Sequence, residues 1–369
     1  MKIVADDKIP FLKGVFESVN ADVIYVEGNK ISRDLLRNAD ALLVRTRTRC
    51  NRELLEGTTV QFVGSATIGT DHMDLDFLHQ AGIHAVNAPG CNADSVAQFV
   101  ASALVNFAPG NDFSQLNFGV VGVGNVGRKV AATAEKLGCK VFKNDPPRAE
   151  REGSNDFVSL MEIAECCDIV SVHVPLLRGT AHPTFHLFDD DFFTAFRGKL
   201  FLSAGRGEAV DTQALIKAIR NGLGAVIDVW ENEPAIDREL LRLVRCGTPH
   251  IAGYSLDGKA NGTGQVVRQL ANFFHIDELI SFRPEKLQQP QNPVIDLADC
   301  TNSQEALVQA INASYDLRQD GERLSKAPDA FESLRGNYPL RREFPSFTLR
   351  NVPPAATRQL SLLGFQLES

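Results

Sequence analysis

A chain of 369 residues exceeds the size at which one hydrophobic core keeps growing, so more than one domain is expected. Its 44% apolar and 23% charged residues are those of an ordinary globular protein, and a net charge of -8 lacks the Lys and Arg surplus that general nucleic-acid binding requires. The seven cysteines form no C-x-x-C pair, no apolar run reaches the ~20 residues that span a bilayer, and the opening MKIVADDKIPFL carries acids where a signal peptide carries a basic region. A cytoplasmic protein with neither a membrane nor a nucleic-acid partner is expected.

The first hundred residues alternate strand-like runs (KIVA, DVIYV, DALLVRT, VQFVG) with helix-like segments such as Ile9 to Ser18, which predicts a parallel α/β sheet. In VRTRTRC, strand alternation sends Arg45, Arg47 and Arg49 to one face and Thr46 and Thr48 to the other. Arg45 or Arg47 is a candidate partner for an anionic group; a charged edge that discourages strand pairing is the alternative. NAPGCNADSVAQFVASALVNFA then predicts a helix capped by Asn92 or Asp94, with Val96, Phe99, Val100, Ala103 and Leu104 at helical spacing.

A second α/β layer starts with FGVVGVG at Phe118 and continues through CKVFKND, DIVSVHVPL, KLFLSAG and GAVIDVW, short Val- and Ile-rich runs suited to strands buried on both faces. The first of these strands leads into G-x-G-x-x-G at Gly122, Gly124 and Gly127. The three glycines allow a tight turn, a close backbone approach to a pyrophosphate, and close helix–strand packing, with helix N–H groups facing the anion. The helix that follows puts Val126, Val130, Ala134 and Leu137 on one face and ends at Gly138, a left-handed cap. Asp145 closes the next strand, 18 residues beyond Gly127, where a carboxylate accepts ribose hydroxyls and repels a 2′-phosphate; NAD is the expected dinucleotide.

Ligands of doubly wound sheets sit beyond the carboxyl ends of the strands. Three such ends carry Ala204-Gly205-Arg206-Gly207, Asp228-Val-Trp-Glu231-Asn-Glu233-Pro234 and Thr248-Pro-His250: an arginine, a carboxylate and a histidine. Glu231 competes with Glu233 for the role of acid. His173 lies in a strand, and His182 and His186, four apart, could share a helix face, but with no third ligand and no H-E-x-x-H no metal is expected. A helix from Gly262 to Phe274 and the linker-like FRPEKLQQPQNP precede a mixed C-terminal segment.

In this order, S-A-G-R-G-E-A-V-D, D-V-W-E-N-E-P and T-P-H-I-A-G behind the glycine motif resemble the D-isomer-specific 2-hydroxyacid dehydrogenase family. The resemblance implies a Rossmann-type NAD domain (96–255) inserted in a flavodoxin-like substrate domain (1–95 and 256–285). A-T-I-G-T-D-H, A-P-G-C-N-A, N-D-P-P-R-A and H-I-A-G-Y-S-L-D-G-K-A, with the C-terminal L-R-G-N-Y-P-L-R-R-E-F, are similar to a biosynthetic branch of that family. This implies a small phosphorylated hydroxy acid as substrate and a C-terminal α+β dimerisation domain (286–369) that forms a homodimer.

By the same resemblance, His250 takes the hydroxyl proton, Glu233 orients its ring, and Arg206 binds the carboxylate. NAD contacts fall on Gly122, Gly124, Asn125, Val126, Gly127, Asp145, Val174, Ala204, Gly205, Arg206, Asp228 and Gly253. Substrate contacts fall on Thr46, Thr67 and Tyr254. Three residues depart from the family pattern: Ser203 where an asparagine or similar amide is frequent, Gln98 where glutamate is common, and Val174 where threonine often meets the cofactor. Other readings at this level are a dehydrogenase of the 3-phosphoglycerate or glycerate type, and an NAD-sensing protein without catalysis.

Overall fold

The computed structural model describes residues 1–110 and 112–368, and the chain divides into two compact units, 1–92 with 256–288 and 93–255 with 289–369. The first unit is a five-stranded sheet of β1 (Lys2–Asp6), β2 (Asp22–Val26), β3 (Ala41–Val44), β4 (Phe62–Ser65) and β5 (His84–Val86). All its pairings are parallel, and the spatial order is β2-β1-β3-β4-β5. That is the flavodoxin-like order. β3 and β4 are buried throughout, as expected for apolar strands covered on both faces. The helix Leu256–Phe274 covers one face, with Val266, Val267, Leu270 and Ala271 in one apolar cluster with Ile3, Ala5 and Phe62.

Two local expectations fail in this unit. Ile9 to Ser18 is not a helix: turns occupy it up to a single 3-10 turn at Glu17–Val19. Pro10 lacks an N–H, while Phe11 and Gly14 take φ of 60 and 85, outside helical backbone. β3 stops at Val44, so the predicted alternation of Arg45 to Arg49 does not apply; those residues form a bend. The short strand His84–Val86 was not expected, since three residues are too few to show a period.

The second unit holds a six-stranded parallel sheet of β6 (Asn117–Val121), β7 (Lys140–Asn144), β8 (Ile169–Val172), β9 (Leu200–Ser203), β10 (Gly224–Ile227) and β11 (Cys246–Gly247). Its order is β11-β10-β9-β8-β6-β7, so the chain reverses direction across the sheet between β6 and β8. The glycine-rich turn leaves β6 at this switch point, where open α/β sheets bind ligands. The helix Asn125–Leu137 follows at once and ends at Gly138 with φ 109, whose N–H reaches the carbonyls of Ala134 and Glu135.

Residues 289–369 contribute β12 (Val294–Asp296), β13 (Thr348–Arg350) and β14 (Gln366–Leu367), a small parallel sheet, with helices at Ser303–Ser314, Leu317–Lys326, Phe331–Gly336 and Pro354–Leu363. By compactness these residues fall in the second unit with 93–255. Leu307, Ile311, Leu317 and Leu349 share one apolar core with Phe99, Leu104 and Phe118. For that reason the helix Ala93–Phe107 is buried on nearly all sides, Ser95, Gln98 and Ser102 included. His182 and His186 do not share a helix either; the segment between β8 and Phe188 is irregular, and His186 has φ 49. Among the described residues no helix is long and apolar enough to cross a membrane, and no cluster of His, Cys, Asp and Glu suits a metal ion.

Candidate active site

Close backbone approaches run along the carboxyl ends of the six-stranded sheet. Gly122 has φ 84, and a Cβ there would meet the His173 carbonyl at 2.9 Å. A Cβ on Gly205 would lie 2.8 Å from the Val174 carbonyl oxygen, and one on Gly207 only 2.0 Å from the Trp230 carbonyl. The loop carrying Arg206 therefore rests directly on the loop carrying Glu233. Trp230 extends the series, donating from Nε1 to the Thr248 carbonyl at 2.9 Å.

On this base stands the pair expected from the sequence. His250 Nδ1 lies 2.8 Å from Glu233 Oε2, with both side chains mostly buried. The other Glu233 oxygen accepts the Trp230 N–H at 2.9 Å, which fixes the carboxylate plane. Burial alone pushes the Glu233 carboxyl upward; the hydrogen bond and charge of His250, the Trp230 N–H and the Arg335 guanidinium outweigh it and hold it below the usual range. Glu231, the competing acid, points elsewhere: it accepts from Thr212 N–H at 3.0 Å and meets His186 Nε2 at 2.7 Å.

His250 itself sits at φ 55, left-handed backbone that is costly for a residue with a Cβ. Its N–H donates to the Asp228 carbonyl at 2.8 Å. The buried Asp228 carboxylate accepts from Thr248 Oγ1 at 2.6 Å, Ile251 N–H at 2.7 Å and Ala252 N–H at 2.9 Å. Three hydrogen bonds leave a carboxylate room for about one more donor. Asp228 thus shapes the histidine loop first, whatever it offers a ligand.

The glycine turn fits a dinucleotide. A Cβ on Gly124 would meet nothing within 4 Å, leaving that face open, whereas one on Gly127 would lie 1.9 Å from the Gly122 carbonyl oxygen. The helix beginning at Asn125 and Val126 has no side-chain cap and no acid in its first turn, so its N–H groups remain suited to an anion. Asp145 accepts from Val123 N–H at 2.8 Å and Arg148 N–H at 3.1 Å, tying the end of β7 to the turn. Val174 is buried beside the turn, and Ala204 is half-buried. Gly253 lies half-buried in the turn closed by the Tyr254 N–H on the Ile251 carbonyl.

Three further groups of side chains are defined by the structure. Arg335, on the C-terminal helix Phe331–Gly336, holds its guanidinium 5.7 Å from the ring of Tyr254, and Tyr338 meets the same ring edge-on at 6.0 Å. Its Nε has no hydrogen-bond partner among the described residues. His173 is half-buried, and desolvation of its ring pushes it down to about 3, so it stays neutral, its Nε2 2.8 Å from Ser171 Oγ. In the first unit, Thr67 Oγ1 lies 2.8 Å from Ser65 Oγ, which in turn lies 3.1 Å from His72 Nε2. Thr46 is exposed just past β3, next to β4 whose end carries Ser65. His72 and Arg335 lie within the quoted runs A-T-I-G-T-D-H and L-R-G-N-Y-P-L-R-R-E-F, but nothing in either run singles them out.

A family profile described as D-isomer specific 2-hydroxyacid dehydrogenase, NAD binding domain, matches residues 93–252. Over nearly its full length the chain is similar to erythronate-4-phosphate dehydrogenase of Bacteroides thetaiotaomicron, at 46% identity covering 95% of this chain and 100% of that protein. The chain belongs to the erythronate-4-phosphate dehydrogenases, within the D-isomer-specific 2-hydroxyacid dehydrogenase family. The erythronate-4-phosphate dehydrogenase of Escherichia coli is 40% identical, with 99% of this chain and 98% of that one covered. A second profile, a domain of unknown function, matches residues 286–364. NAD+-bound 3-phosphoglycerate dehydrogenase of Entamoeba histolytica shares the fold, with a TM-score of 0.62 at 23% identity over 78% of this chain and 99% of that one. As a member of this family the chain is an NAD-dependent dehydrogenase, and the glycine turn, helix terminus and Asp145 are the parts that fit the dinucleotide.

Proposed function

We propose that the chain oxidises the 2-hydroxyl of 4-phospho-D-erythronate to the 2-oxo acid, a step in pyridoxal 5′-phosphate formation. The observation that carries the reading is the 2.8 Å contact between His250 Nδ1 and Glu233. A carboxylate at Nδ1 fixes the ring proton there, so Nε2 keeps its lone pair and takes the hydroxyl proton. Glu233 then stabilises the imidazolium that results. Bound NAD supplies the hydride acceptor. Arg206 offers a planar fork to the substrate carboxylate and to charge developing on oxygen, a geometry lysine lacks.

Thr46, Thr67 and Tyr254 are assigned to the substrate. Arg45 and Lys259 are assigned to its phosphate. Burial and the charge of Arg45 hold the Lys259 ammonium below the usual lysine range, and two cations so placed favour an anion. Residues 286–369 are assigned to pairing two copies of the chain, two-fold dimers being the commonest assembly.

The test is NADH formation from 4-phosphoerythronate and from 3-phosphoglycerate, in the parent and in His250→Asn. Preference for 4-phosphoerythronate, lost with the imidazole, is expected. Preference for 3-phosphoglycerate overturns the substrate; full activity of His250→Asn overturns the proton path.

A further inference from the structure

The buried run Arg341-Arg342-Glu343, in the C-terminal segment, is bonded to the histidine loop. Arg341 is 5% exposed, yet its guanidinium is well partnered. It donates to the carbonyls of Ser95 at 2.6 Å, Ala252 at 3.2 Å and Ile251 at 3.5 Å, and from Nε to Gln98 Oε1 at 2.9 Å. It also lies 3.6 Å from the Tyr315 ring centroid, a cation–π contact. Glu343 accepts from Ser255 Oγ at 2.7 Å and Ser95 Oγ at 3.3 Å, while Ser95 Oγ accepts the Ser255 N–H at 3.1 Å. Gln98, where the family commonly has an acid, returns a bond from Nε2 to the Arg342 carbonyl at 3.1 Å.

Two properties of this network matter. Ile251 and Ala252 are gripped on both sides of their peptide groups: their N–H groups go to Asp228 and their carbonyls to Arg341. These are the residues directly after His250, whose left-handed backbone persists only if its surroundings determine it. Glu343 also holds Ser95 and Ser255, which stand just inside the two places where the chain passes between units, 92/93 and 255/256. A guanidinium fork suits the Arg341 position because four acceptors surround it in different directions.

We propose that Arg341 and Glu343 are positioning residues for the reaction: through the peptide groups of 251 and 252 and the two serines, the C-terminal segment sets where the His250 imidazole stands. The segment thereby takes part in turnover besides any role in pairing subunits. This rests on the reading of His250 as proton acceptor.

The experiment uses the full-length enzyme with Arg341→Lys, Arg341→Met and Glu343→Gln, beside the parent and His250→Asn. It reads kcat and KM, NADH affinity, thermal unfolding, and the primary isotope effect of deuterium on the hydroxyl-bearing carbon. A misplacement of about 1 Å costs on the order of 100-fold in rate. Arg341→Met is therefore expected to lose about 10- to 100-fold in kcat with NADH affinity little changed, Arg341→Lys to retain more, and the isotope effect to rise as chemistry becomes slower. A merely structural role lowers the folded fraction and leaves the isotope effect alone. Should Arg341→Met fail to fold, Arg341→Lys and Glu343→Gln carry the test. Parent-level kcat per folded enzyme, or an unchanged isotope effect in the folded variants, overturns the proposal. If His250→Asn retains the parent rate, the proton path fails instead, whatever the Arg341 variants do.

Discussion

Glu233→Gln isolates the orienting role of the carboxylate. The parent side chain accepts two hydrogen bonds, from Trp230 N–H at 2.9 Å and from His250 Nδ1 at 2.8 Å. Glutamine has one acceptor oxygen and one NH2 group, so it cannot accept both. Turning the NH2 to Trp230 sets donor against donor and leaves a backbone N–H unsatisfied at a cost of about 1–3 kcal/mol. The imidazole adapts more easily, by moving its proton to Nε2 and accepting from the amide. That tautomer has no lone pair facing the substrate and cannot take the hydroxyl proton. The expected loss is that of a general base, about 10²- to 10⁴-fold in kcat, or about 2.7–5.4 kcal/mol in the barrier. Initial rates of NADH formation at saturating substrate measure it, with NADH titration to show that the cofactor still binds. A kcat within about threefold of the parent would refute the argument.

Gly127→Ala places a methyl group 1.9 Å from the Gly122 carbonyl oxygen, so the turn must open; NADH affinity is expected to fall at least about tenfold, with about 1–3 kcal/mol lost in stability by chemical denaturation. Asp145→Ala removes the acceptor of the Val123 and Arg148 N–H groups and the charge that repels a 2′-phosphate; the ratio of kcat/KM for NAD over NADP is expected to fall, and an unchanged ratio refutes the assignment. Arg335→Met takes away one of the charges that hold the Glu233 carboxyl low. A depressed carboxyl is lost from its ionised form as pH falls through its folded value, so raising that value moves the acidic limb of kcat/KM to higher pH; a limb that stays in place contradicts the coupling.

Much of the architecture was legible because buried parallel strands are written as short apolar runs, and both sheets announced themselves that way. The glycine turn and its helix were equally plain, since only glycine tolerates φ 84 at position 122 and the 1.9 Å approach at 127. What escaped were features decided at a distance. Ile9 to Ser18 carries apolar residues at suggestive spacing, but Pro10 and two left-handed residues override them. Glu231 and Glu233 could not be separated by pattern; the structure separates them by which histidine each one meets. The spacing of apolar residues in the C-terminal segment gave no sign that they share a core with the helix Ala93–Phe107.

The first unit is not one continuous stretch of chain. Its sheet is complete by Val86, but the helix that seals one side, Leu256–Phe274, is synthesised only after the whole of 93–255. Until then the face formed by Ile3, Ala5 and Phe62 lacks its cover of Val266, Val267 and Leu270. A ribosome making this protein therefore holds an unsealed apolar surface while the following unit emerges, and that interval is when a nascent chain is most exposed to aggregation and most in need of a chaperone.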